Sequence, residues 1–124
     1  MSRFQYLNVE PMGIKKNDCV TRAISFASGL SYATIRKKLY HTKKLLDCES
    51  SYCPTCYGFL VQEVLGGVPK NCDGMTVGEF ADNNSNGTYL IRIEGHLTCI
   101  KEPATIYDTW DCRSKMCSLA WRVG

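Results

Sequence analysis

The chain reads as one α+β domain with its helices first and an antiparallel sheet after them. Three observations predict this. Apolar residues recur at helical spacing between residues 18 and 65, β-rich runs separated by turn residues fill 88–123, and no internal repeat or low-complexity segment divides the 124 residues. A chain of that length buries a real core without metal or disulfides, so a single domain covering 1–124 is expected.

The elements follow in order. Residues 1–16, with Pro11, Gly13 and the Lys15-Lys16 pair, read as an extended arm and a turn. Val20, Ala23, Ile24 and Ala27 then share one helical face, which predicts a helix over 18–28 closed by Gly29. Ser31 suits the N-cap of a second helix, with Tyr32, Ile35, Leu39 and Leu46 turned inward and Arg36, Lys37, Lys38, Lys43 and Lys44 toward water. A cysteine-rich loop from Cys48 to Cys56 follows, and the apolar density of Tyr57–Leu65 predicts a short buried helix ended by Gly66-Gly67. A turn region with Pro69 and Gly74 leads to Thr76-Val77-Gly78-Glu79, whose threonine-to-glutamate spacing is that of a capping box. That helix should end by Asn83, with residues 82–87 as a loop. Residues 88–93 and 97–100 read as a hairpin across Glu94-Gly95, and 105–110 and 119–123 as two further strands.

Composition excludes several functions. A net charge of +3 is small and dispersed, and the basic run of the second helix has no aromatic residues interleaved for stacking, so no nucleic acid partner is expected. No run of about eighteen apolar residues offers a membrane span. Nothing at Met1–Tyr6 reads as a secretion signal, so the expectation is a soluble cytoplasmic protein, or one of the host cytoplasm if the source is viral. In such a compartment the eight cysteines read as thiols, metal ligands or a nucleophile, not as a disulfide framework.

The chemistry centres on Asn17-Asp18-Cys19-Val20-Thr21-Arg22-Ala23, which delivers Cys19 onto the first turn of a helix. Unpaired amides and partial positive charge there favour thiolate over thiol. Of the two histidines, His41 lies on the lysine-rich helix and His96 follows Gly95 at the start of a strand, where its ring can project from the sheet rim. Asp108 lies twelve residues later, on the strand that folds back beside it. A carboxylate so placed fixes the imidazole tautomer and stabilises the imidazolium that accompanies a thiolate. Asp111 is the rival for that position. Tyr107 and Trp110 read as core, and Cys99, Cys112 and Cys117 as structural.

Asn17-Asp18-Cys19-Val20-Thr21-Arg22-Ala23, Gly95-His96-Leu97-Thr98 and Ile106-Tyr107-Asp108-Thr109-Trp110-Asp111, in that chain order, resemble the papain-like cysteine peptidase superfamily, in particular its small, minimal members encoded by bacteriophages. The resemblance spans Asn17 to Asp111. It implies a papain-like fold with N-terminal helices packed on a C-terminal sheet, and a hydrolase acting on a protein or peptide, with Cys19 as nucleophile, His96 as base and Asp108 as orienter. The family places a glutamine or asparagine a few residues before the nucleophile to donate to the oxyanion, and residues 11–16 contain neither. Asn17 is the nearest substitute and Gln5 a distant one. Two alternatives stay open: an inactive papain-like module that binds a partner protein, and a zinc interaction domain. No cofactor is expected for the hydrolase; for zinc, Cys53-Pro54-Thr55-Cys56 supplies half a site, with Cys48 and Cys72 as the remaining ligands.

Overall fold

The computed structural model of the protein describes residues 1–14 and 16–124. Local signals set most of the helix ends. Helix α1 spans Cys19–Ser28 and stops at Gly29, which takes the left-handed conformation (φ 75°) that a side chain would resist. Helix α2 spans Tyr32–Leu46 and starts at Ser31, whose Oγ accepts from the Thr34 amide at 3.1 Å. Helix α4, Val77–Asn83, opens on a complete capping box: the Glu79 amide donates to Thr76 Oγ1 at 3.2 Å and the Thr76 amide to Glu79 Oε1 at 2.9 Å.

The helix expected at 57–65 begins three residues earlier. Pro54 occupies its first turn, where a missing N–H costs nothing, so α3 runs Pro54–Phe59 and continues as a π-helical turn over Leu60–Val64. The chain then folds hard against that turn. The Gly67 amide donates to the Val61 carbonyl at 2.7 Å, and a Cβ on Gly67 would lie 2.6 Å from Val61 Cγ1, so only glycine passes there.

Six strands form one sheet: β1 (Arg3–Tyr6), β2 (Val68–Lys70), β3 (Thr88–Ile93), β4 (His96–Lys101), β5 (Thr105–Asp108) and β6 (Leu119–Arg122), in the order β1-β5-β4-β3-β6-β2. The class is α+β as expected, but the sheet is neither wholly C-terminal nor wholly antiparallel. The residues read as an extended arm supply β1, which pairs parallel to β5 from Arg3 opposite Thr105 to Tyr6 opposite Asp108. The turn region at Pro69 supplies β2, an exposed edge strand paired only to β6. The third β-run ends at Asp108, two residues short of the expected Trp110.

Side-chain alternation along the strands divides the core in two. Leu90, Leu97, Cys99 and Trp121 face α1, α2 and α3, meeting Val20, Ile24, Ile35, Leu39 and Leu60. Tyr89, Ile91, Ile93, Ile100 and Ala120 face the other way, onto Phe80 and Val77 of α4. The sheet is therefore covered on both sides. Among the described residues no helix is long and apolar enough to cross a membrane.

Candidate active site

Asp18 would ordinarily cap α1, but its carboxylate makes no capping bond. Its Oδ1 instead accepts from Arg22 Nε at 2.6 Å and its Oδ2 from the Tyr32 hydroxyl at 2.7 Å. These bonds tie the start of α1 to α2 and fix the turn that presents Cys19. Cys19 is the first residue of α1 and 9% exposed.

His96 opens β4, directly after Gly95, whose φ of 69° makes the tight turn from β3. Cys99 pairs with Tyr107 and Ile100 with Ile106; continuing that register sets Asp108 opposite Thr98, diagonal to His96 on the same face. The side chains meet there, with His96 Nε2 2.6 Å from Asp108 Oδ2. The Cys19 sulfur lies close enough to His96 for each to shift the other's titration. Asp108 Oδ1 accepts from the Thr109 amide at 2.7 Å and faces Arg22 Nη1 at 3.5 Å. Imidazole, carboxylate, guanidinium and the Asp18 carboxylate thus form one chain, with Cys19 beside its His96 end and His96 and Arg22 each about a tenth exposed.

The charges follow from these contacts. Burial pushes the Cys19 thiol up, but the His96 hydrogen bond, the Leu97 amide and the nearby Arg22 charge outweigh it and hold the group below its ordinary value. Burial pulls His96 down, yet the hydrogen bonds to Asp108 and Cys19 raise it to about 9. Asp108 is buried too, and its bond to His96 holds it below the usual carboxylate range. Both shifts run toward a thiolate on Cys19 and an imidazolium on His96.

The cleft over this pair has a volume of about 230 Å³, and Asn17, Tyr52, Tyr57 and Arg92 line it with Cys19 and His96. Asn17 therefore lines the same space as Cys19. Gln5, the other oxyanion candidate, lies in β1 and donates to the Tyr6 carbonyl. Asp111 is spent on Arg113, at 2.7 Å on the surface, which leaves Asp108 as the acid. His41 is exposed on α2. Trp110 is not core: it is 39% exposed, and its ring centroid lies 5.0 Å from that of His96, over the rim. Tyr107 packs on Phe26, centroids 4.8 Å apart.

The four cysteines read as zinc ligands are not brought together. Cys48 and Cys56 are disulfide-bonded to each other, a pairing the expectation of free thiols missed, and Cys72 is buried in the α4-side core beside Cys117. Cys53 keeps its thiol at the head of α3, where the Thr55 and Cys56 amides lower its pKa. Among the described residues, His96, Asp108 and Cys112 are the one group whose donor atoms, all within 4.8 Å, are close enough to share a metal ion. The 2.6 Å contact between His96 and Asp108 is a direct hydrogen bond, and burial pushes the Cys112 thiol up to about 11.

Arg22, Tyr32 and Trp110 were not singled out from the sequence. The four-residue spacing of Asp18 and Arg22 on one helix face was a usable signal for the first. The comparisons add no identity to this site: no family model, curated protein or solved structure matches the chain.

Proposed function

We propose that the protein is a papain-like, cysteine-dependent hydrolase that cleaves a peptide or isopeptide bond in a protein substrate. The observation that carries this reading is the 2.6 Å hydrogen bond between His96 and Asp108, beside a largely buried Cys19 whose titration His96 shifts. In the reaction the Cys19 thiolate attacks the scissile carbonyl carbon. The amide of Cys19, one of the donors at the head of α1 without an intrahelical partner, and the carboxamide of Asn17 take the developing oxyanion. The His96 imidazolium then gives its proton to the leaving nitrogen as the C–N bond breaks, leaving a thioester on Cys19. Water, deprotonated by His96, attacks that thioester; the acid product leaves, and the imidazolium–thiolate pair is restored. Asp108 keeps the ring oriented throughout and does not itself take the proton.

A second reading has one observation in its favour: Cys19 is only 9% exposed beneath a cleft of about 230 Å³. It is a papain-like module that holds a partner protein in this cleft without cutting it. Iodoacetamide labelling with residue-level mass analysis tests the chemistry common to the hydrolase. Cys19 should be alkylated first at pH 7, and His96→Ala should abolish that preference. Equal labelling of Cys19 and the buried Cys99 would sink the proposal, and selective labelling without turnover of any peptide in a mixed library would select the binding module.

A further inference from the structure

We infer that a cationic groove beside the cleft binds an acidic segment of an extended peptide, and that this selects the substrate; the inference rests on the hydrolase reading only for what happens to the peptide once bound. The groove, about 820 Å³, lies between the N-terminal turn and α2. Its volume is in the range of sites that enclose a small ligand or several side chains. It adjoins the catalytic cleft: Tyr52 lines both, and Thr21 in its wall is two residues from Cys19.

The charge of the groove is one-sided. Glu10 is the only acid in its wall, and its oxygens are used: Oε1 accepts from the amides of Met12 and Ile14 at 2.7 and 3.1 Å, and Oε2 pairs with Lys16 at 3.0 Å. Arg36 and Lys37 project from the exposed side of α2 and make no ion pair among the described residues. Two unneutralised cations therefore face a groove whose wall also carries exposed tyrosines among apolar and small polar residues. Tyr40 is 54% exposed and Tyr52 41%. The basic run of α2 thus does carry an interleaved aromatic residue, Tyr40 between Lys38 and Lys43, contrary to the expectation from the sequence. Carboxylates of a peptide answer the two cations, and apolar side chains between them answer the tyrosines. An extended peptide running from Cys19 across Tyr52 would meet both.

Binding is measured with a Cys19→Ala chain, so that no turnover is needed. The probe is a fluorescein-labelled hexapeptide alternating glutamate and leucine, compared at low ionic strength with one carrying glutamine for glutamate. The acidic peptide should bind about five- to tenfold more tightly, from two partly exposed charge pairs. Arg36→Glu/Lys37→Glu should remove that preference, whereas Lys115→Glu, an exposed reversal outside the groove, should leave it within twofold. Equal binding of the two peptides, or an unchanged preference in the double reversal, would overturn the inference. So would a fluorescein-labelled thymidine hexamer that binds more tightly than the acidic peptide and loses affinity in the same double variant. Because iodoacetamide selectivity at Cys19 is read separately on the parent chain, loss of the groove preference and loss of the hydrolase reading are distinct results.

Discussion

Replacing Asp108 with asparagine removes one charge from the relay while keeping the shape of the side chain. Arg22 retains Asp18 at 2.6 Å, so no buried guanidinium is stranded. The raising of His96 from 6.5 to about 9 comes first from the Asp108 hydrogen bond and then from Cys19. At pH 7.5 a group titrating at about 9 is about 97% protonated and one at 6.5 about 9%, so the variant would carry about tenfold less imidazolium. The thiolate that depends on this imidazolium should fall in proportion. The assay is the rate of Cys19 alkylation by iodoacetamide from pH 5 to 10, with the His96 ring titrated by NMR in parallel. The parent should show a reactive plateau well below pH 9, and Asp108→Asn should lose it, slowing about tenfold at pH 7.5. A variant rate within twofold of the parent at that pH, or a His96 titration still near 9, would refute the account of how the pair is made.

Three further predictions concern stability and reactivity. His96, raised above 6.5, stabilises the fold fully below that value and loses the contribution as pH rises through about 9; Cys19, lowered below 9.0, contributes fully above 9.0 and loses it as pH falls through its folded value, so the two slopes oppose each other. Denaturation midpoints of the parent should therefore fall less steeply between pH 6.5 and 9 than those of Cys19→Ala, which should lose up to about 1.4 kcal/mol per pH unit there; equal slopes would contradict it. Asp18→Ala takes the nearest partner from the buried Arg22 and the only acceptor from the Tyr32 hydroxyl, and should cost about 3 to 5 kcal/mol in urea unfolding. Among free thiols, Cys53 should be second to Cys19 in alkylation, being outside the core with a lowered pKa, and Cys99 and Cys117, both raised to about 12, should be last; mass analysis over time gives the order.

What could be read in advance was what lies close along the chain. Gly29, Ser31 and the Thr76–Glu79 box each satisfy backbone groups within four residues, and each marks a helix end where it was expected. The pair His96 and Asp108 was also legible, because hairpin register converts a sequence interval into a spatial one. Strands β1 and β2 were not. Both lie at sheet edges and are mostly exposed, so they show no alternating burial, and Pro69 argues against a strand unless its missing N–H faces outward from an edge. Arg22 was passed over because its second partner, Asp108, is 86 residues away. The Cys48–Cys56 bond was missed for a different reason: eight residues is an ordinary loop, and spacing alone does not separate a disulfide from half a metal site.

The pairing of β1 with β5 has a consequence in time. The Leu7 amide donates to the Asp108 carbonyl at 2.9 Å, and Tyr6 lies opposite Asp108, so about a hundred residues of chain separate the partners that seat the acid of the relay. The Asp18, Arg22 and Tyr32 contacts are local and can form as soon as α1 and α2 meet. Closure of the long loop comes later, because its entropy must be lost before any contact repays it. During synthesis Cys19 emerges early as an ordinary thiol and stays one until residues 105–108 have docked beside the first strand. Its activation therefore depends on residues 105–108 and is absent from any nascent chain that stops short of them.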